Sequence, residues 1–95
     1  MQDIQTLREQ LDQIDRKLME LLAERMNTAR QIGRWKMERG LPVLDAAREE
    51  QVLESRAGMV SDPEMQERVK TLFRDIMAMS RAEQEKILRE EKNNA

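Results

Sequence analysis

Apolar positions in the first part of the chain recur at steps of three and four. Ile4, Leu7, Leu11, Ile14, Leu18 and Leu21 form one stripe, the pattern of a helix with a single apolar face. Asp3 precedes the stripe as a capping candidate. Gly40-Leu41-Pro42 follows it as a stop, since glycine accepts the left-handed turn that ends helices and proline cannot continue one. The spacing therefore predicts a first helix from about Asp3 to Arg39. Gly33 lies inside it at a cost of about 1 kcal/mol against alanine, so close approach by another backbone or by a ligand is expected there. A second helix is predicted from the cap Asp45 through Ala46, Arg48, Glu49, Val52 and Leu53 to about Ala57, with Gly58 ending it. A third begins at Ser61-Asp62-Pro63-Glu64, where a cap candidate, a proline at the first helical position and an acidic first turn coincide. Its stripe is Met65, Val69, Leu72, Phe73, Ile76, Met77, Ile87 and Leu88. The polar ending Glu90-Glu91-Lys92-Asn93-Asn94-Ala95 is expected to fray.

These elements make an all-α chain with three helices, one long, one short and one medium-long, in a single domain spanning residues 1–95. The first helix bears on quaternary structure. A helix of roughly 36 residues is about 54 Å long, whereas a compact domain of this size is nearer 30 Å across. The helix overhangs its own domain, yet its apolar stripe covers at least its N-terminal half. A second copy is the simplest cover, because two-fold homodimers are the commonest oligomers. The expectation is an intertwined helical homodimer. A long coiled coil is the other reading, but the heptad holds for only about three repeats before polar residues enter it.

Composition narrows the chemistry. The chain has 95 residues with no cysteine and no histidine. Disulfides and the usual zinc sites are therefore excluded as sources of stability, and oligomerisation remains. Charged residues reach 38% and aromatics only 2%, a helix-forming composition with charge-rich faces. A net charge of −2 without a basic block argues against nucleic-acid binding. No apolar run is long enough to span a bilayer, and the start Met1-Gln2-Asp3-Ile4 lacks the regions of a signal peptide. A cytoplasmic location without membrane partners is the expectation.

Polar residues interrupt the apolar faces at particular places. With Ile4 at heptad position a, Leu11, Leu18, Arg25 and Ile32 are also a. Leu7, Ile14, Leu21, Thr28 and Trp35 are d, while Arg8 and Lys36 flank the seam at e. Arg25 thus occupies a buried-type slot, and Lys36 lies three turns on, near the same line. Ser80 and Gln84 interrupt the third helix between Met77 and Ile87; Asp45, Arg48 and Glu49 share a face with Val52 and Leu53. Taken singly, each reads first as a snorkelling cation, a satisfied core polar group or a solvated charge. Arg48 is less bland, since an arginine in a first turn opposes the helix dipole. Together they supply cations, a carboxylate, an amide and a hydroxyl, a set that suits a small polyanion bearing a hydroxyl group. Without His, Cys or a serine with an obvious base partner, nucleophilic catalysis is disfavoured. Electrostatic stabilisation and enforced geometry remain, which suit a unimolecular rearrangement of a dianion.

From Leu7-Arg8 to Gln84 the chain resembles the all-helical chorismate mutase family. The resemblance rests on "LREQLDQIDRKLMELLAERM", "IGRWK", "LPVLDAAREEQVLE" and "SRAEQ", in that order and spacing. It implies an isomerase of aromatic amino-acid biosynthesis that converts chorismate to prephenate by a concerted Claisen rearrangement, without cofactor or metal. It implies that Arg25 binds a substrate carboxylate, and that Arg8 reaches the same dianion from the partner subunit. Lys36 would donate to a carboxylate and to the breaking ether oxygen, and Gln84 to that oxygen from the other side. Glu49 would accept the ring hydroxyl, helped by the backbone N–H of Asp45, and Arg48 and Ser80 would make further polar contacts. Many relatives carry this domain fused to a prephenate-processing or early-shikimate enzyme, and the charged tail after Ile87 reads equally as a natural end or as a linker. Two other functions stay open: an isochorismate–pyruvate lyase, which resembles this fold, and a non-catalytic helical dimerisation module.

Overall fold

The computed structural model describes residues 3–94. It contains helix α1 (Ile4–Glu38), helix α2 (Ala46–Ala57) and helix α3 (Pro63–Asn94), with no strand among the described residues. Each boundary has a local cause. The Asp3 carboxylate accepts the Thr6 N–H at 2.8 Å, and that bond lowers the Asp3 pKa. Helix α1 ends in a Schellman motif. Leu41 N donates to Lys36 O at 2.9 Å, Gly40 N donates to Met37 O at 3.2 Å, and Gly40 takes the left-handed φ of 65° this requires. Asp45 caps α2 by accepting the Arg48 N–H at 3.0 Å. Pro63 opens α3, where its missing N–H costs nothing, and the Asp62 carbonyl accepts the Gln66 N–H at 2.9 Å.

Where fraying is expected, the ending from Glu90 is helical and continues α3 to Asn94, with Ala95 outside the described residues. Glu and Lys are good helix formers, and Lys92 in the last turn complements the helix dipole.

Helix α3 is the shared element, packed against both α1 and α2. The α2–α3 contact forms the core, where Val52, Leu53 and Met77 are buried and Phe73 packs against them. Ion pairs mark its antiparallel run: Glu54 meets Lys70 at 3.1 Å near one end, and Glu49 meets Arg81 near the other. Along the α1–α3 contact the helices advance together, Arg25 meeting Ser80 and Arg30 meeting Glu83 at 2.9 Å. Only Ala29 and Gly33 of α1 are buried. A Cβ at Gly33 would lie 3.0 Å from the Cα of Gln84, which is the close backbone approach that the interior glycine predicts.

The N-terminal half of α1 keeps its apolar stripe uncovered. Ile4, Leu11, Ile14, Leu18 and Leu21 are each more than half exposed. The molecule measures 60 × 29 × 14 Å with a radius of gyration of 17.2 Å, whereas a compact chain of this length has about 12 Å. No helix among the described residues is long and apolar enough to cross a membrane.

The Gly33 contact gives a stability test. Gly33→Ala gains roughly 1 kcal/mol of helix propensity, but its methyl must push α3 away through backbone, and overpacking of this kind costs about 1–3 kcal/mol. Gly33→Ala is therefore expected to lower stability, by up to about 2 kcal/mol. Urea unfolding at fixed protein concentration measures it, and a raised midpoint would contradict the close packing.

Candidate functional site

The C-terminal half of α1, the start of α2 and the middle of α3 enclose a cavity of about 400 Å³. Helix α1 contributes Arg25, Ala29, Ile32 and Lys36, which fall on one face at steps of four, three and four. Helix α3 contributes Met77, Ser80, Arg81 and Gln84, again on one face. Asp45, Arg48 and Glu49 close the third side, and Val43 lines it from the loop before α2. Every candidate residue from the sequence lines this cavity except Arg8. Arg8 sits on the bare half of α1, 17 residues before Arg25, or roughly 25 Å along the helix.

The polar groups are held by one another. Arg25 Nη1 donates to Ser80 Oγ at 2.6 Å, and that hydroxyl donates in turn to Ile76 O at 3.0 Å. Ser80 thereby orients the guanidinium with a neutral acceptor and leaves its charge uncompensated. Lys36 Nζ donates to Val43 O at 2.6 Å. This ties the loop to the end of α1 and leaves the ammonium two further protons. Arg48 Nη1 donates to Gln51 Oε1 at 2.8 Å. Both carboxylates are engaged, Asp45 by the Arg48 N–H and Glu49 by Arg81. Gln84 is only 6% exposed, and among the described residues its Oε1 is buried without a hydrogen-bond partner. Such an orphaned group costs about 1–3 kcal/mol unless something binds it.

Four cations line the cavity against two carboxylates, although the whole chain carries −2. Burial, followed by the charges of Arg56 and Arg48, lowers the Arg25 pKa. A desolvated arginine repelled by two others, whose bonded partner is a hydroxyl, is a place prepared for an anion. The cavity can therefore hold a small anion by several charged donors, accept a hydroxyl at Glu49 and offer donors elsewhere. It contains no nucleophile paired with a base.

Sequence reasoning missed two of the charged groups here. Arg81 was legible in principle, because it stands beside Ser80 and three residues before Gln84 on α3. Arg56 carried no signal. It lies in the last turn of α2, where a cation suits the helix dipole, and its guanidinium stands 5.9 Å from the Phe73 ring centroid; only the packing of α2 brings its charge to bear on Arg25.

Comparison with known proteins gives a consistent picture. Residues 7–85 match the family model described as chorismate mutase type II. A 3-dehydroquinate dehydratase of Pyrobaculum aerophilum is 52% identical over 52 residues, covering 55% of this chain and 17% of its own length. A T-protein of Haemophilus influenzae is 36% identical over 56 residues, covering 59% of this chain and 15% of its own. The chain thus spans less than a fifth of the length of either. Two solved structures of chorismate mutase from Thermus thermophilus superpose closely. Form II gives a TM-score of 0.82 at 35% identity, over 86% of this chain and 93% of that one. Form I gives 0.76 at 36% identity, over 81% and 96%.

The state of Arg25 has a measurable consequence. A lowered cation pKa means that the folded protein holds this proton less tightly than the unfolded chain does. The charged guanidinium therefore opposes folding at every pH below its folded pKa, neutral pH included. Arg25→Met keeps the aliphatic stem and removes the charge. In the absence of ligand its Tm is expected to equal or exceed that of the wild type, as read by differential scanning calorimetry at neutral pH. A clear fall would mean that Arg25 serves the fold rather than a ligand.

Proposed function

The chain belongs to the type II chorismate mutase family, and from that premise we propose that it rearranges chorismate to prephenate as a cytoplasmic homodimer, without cofactor. The observation that carries this reading is the cationic cavity, with an arginine braced by a hydroxyl, a tethered lysine and an orphaned amide on facing helices. A dimerisation module would gain nothing from burying such groups, whereas chorismate, with two carboxylates, an ether oxygen and a ring hydroxyl, matches them one for one.

Arg25 binds one carboxylate, with Ser80 as its brace. Lys36 gives one proton to Val43 O and directs the others at a carboxylate and at the ether oxygen. Gln84, turned so that its amide nitrogen faces the substrate, donates to the same oxygen from α3. Glu49 accepts the ring hydroxyl beside the Asp45 N–H, and Arg48 adds a contact to the substrate's polar edge. The ether C–O bond breaks as a new C–C bond forms, within one molecule, and no proton or electron leaves. Negative charge grows on the ether oxygen during bond breaking, so Lys36 and Gln84 bind the transition state more strongly than the ground state, as catalysis requires. The ring and its side chain must fold into the reactive geometry, and charged clamps at both carboxylates enforce that fold.

Arg8 completes the site from a second copy. The exposed stripe from Ile4 to Leu21 and the distance of Arg8 from its own cavity support this arrangement. If it holds, Arg8→Ala and Arg25→Ala are each inactive, but mixing them regenerates activity, because one site of every mixed dimer has both arginines. Random reassembly is expected to restore about a quarter of the wild-type rate. Sedimentation showing a folded monomer at micromolar concentration, or failure of the two variants to complement, would refute the shared site.

The direct test mixes the protein with chorismate, follows the loss of its ultraviolet absorbance and identifies the product. Prephenate is expected; release of pyruvate from isochorismate instead would mark a lyase. Lys36→Met removes the charge and retains the stem. Loss of one oriented donor costs roughly 3–4 kcal/mol, or a few hundredfold in rate, so kcat should fall by about that factor while circular dichroism shows the helices intact. A folded Lys36→Met with near-normal turnover would reject the mechanism.

A further inference from the structure

We propose that Arg81 is a positioning residue for the reaction: it holds the Glu49 carboxylate in the orientation that accepts the substrate's ring hydroxyl and offsets its charge in a cavity built for a dianion. The inference rests on the proposed mutase reading and adds a residue to it. A single nitrogen of Arg81, Nη1, donates to both Oε1 and Oε2 of Glu49 at 2.5 Å each. The side chains are 32% and 26% exposed, so the pair is largely removed from water and its geometry is fixed from both helices. Charge-assisted bonds of this kind are the stronger class of hydrogen bond.

Two physical arguments give the pair a purpose. The first is electrostatic. Glu49 is a carboxylate on the wall of a site that receives two more, and unlike-sign company is what makes that tolerable. Asp45, the other wall carboxylate, has a backbone N–H for company; Glu49 has Arg81. The second is steric. Glu49, Met77 and Arg81 also line a second hollow of about 360 Å³, bounded by Leu44, Glu50 and Arg74. The Glu49–Arg81 pair is thus the partition between the catalytic cavity and an outer hollow that holds another cation, Arg74. Without Arg81, Glu49 is free to turn outward to Arg74, away from the substrate. Arg81 also stands three residues before Gln84 on α3, so the α2 group that holds the hydroxyl is registered to the α3 group at the ether oxygen.

The test is a double-mutant cycle on chorismate kinetics. Wild-type turnover of chorismate is measured first; its absence would overturn the mutase reading and this proposal with it. Arg81→Met keeps the stem and removes the charge. It is expected to lower kcat/KM by about tenfold or more, the size of a typical coupling between bonded charged groups. Most of the loss should appear in KM, because the hydroxyl is held alike in ground and transition states. Arg81→Lys should recover most of it, since one nitrogen makes both bonds and a point donor serves. Glu49→Gln should abolish the dependence, so that Glu49→Gln with Arg81→Met is no slower than Glu49→Gln alone. Losses that multiply in the double variant would overturn the proposal by showing that Arg81 acts on substrate or fold independently of Glu49. An Arg81→Met enzyme within twofold of wild type would overturn it too. Should Arg81→Met not fold, the cycle with Arg81→Gln, which also removes the charge, decides by the same criterion.

Discussion

The close passage of α1 over α3 at Gly33 fixes the width of the site. A side chain there would stand 3.0 Å from the Cα of Gln84, so only glycine lets the helices approach this far. Everything polar in the cavity is measured from that contact. Arg25 lies two turns before it and reaches Ser80 on α3 at 2.6 Å. Lys36 lies just after it, where α1 is about to end, and its tether to Val43 O draws the following loop down as the cavity's rim. The Schellman turn at Gly40 then aims the chain back so that Asp45 starts α2 beside the same space. Two glycines thus act in different ways, one by lacking a side chain at a crossing and one by accepting a positive φ.

What the site gains in charge, the fold forgoes in apolar packing. The described chain buries Val52, Leu53 and Met77 of α2 and α3 as its core cluster, while α1 and α3 turn Arg25, Lys36, Arg81 and Gln84 toward the cavity. Burial of cations near one another opposes folding. Burial of an amide without a partner does so as well. Such residues persist because the surrounding helices hold them, and an anion in the cavity would relieve the repulsion among the cations. The position of Arg25, desolvated and repelled by Arg56 and Arg48, is therefore informative about function in a way that a solvated arginine is not.

Much of the fold was written in the periodicity, because it is local. Stripe, cap and stop coincide at α1, and Pro63 with Asp62 marks α3 to the residue. The interruptions of the stripes at Arg25, Lys36, Ser80 and Gln84 were legible for the same reason: a polar side chain in an apolar row either carries a penalty or has a task. The rest was not local. Arg81 shares the face of Met77 and Gln84, but only the antiparallel docking of α2 on α3 brings it to Glu49. Arg56 looks like an ordinary cation at the end of a helix until tertiary packing sets it near Arg25. The polarity of the tail beyond Leu88 hid how far the helix runs, since its Glu and Lys residues carry enough helical preference to continue α3 to Asn94.

The bare half of α1 and the position of Arg8 belong to one argument. A helix that exposes Ile4, Leu11, Ile14, Leu18 and Leu21 leaves a hydrophobic driving force unused, at about 25 cal/mol for each Å² that could be covered. In the proposed dimer the cover is the same helix of another copy, and the helix that covers the stripe also carries Arg8 to the other chain's cavity. That arrival adds a cation to a site already in positive surplus. Assembly then gains from apolar burial and loses from charge repulsion in the empty site, and a dianion reverses the second effect. On the proposed arrangement substrate binding and dimer assembly are linked, since a ligand that binds only the assembled form stabilises it in proportion to the logarithm of its concentration over its Kd. In the proposed dimer the long first helix is both the structural brace and the arm that makes the two sites respond to occupancy.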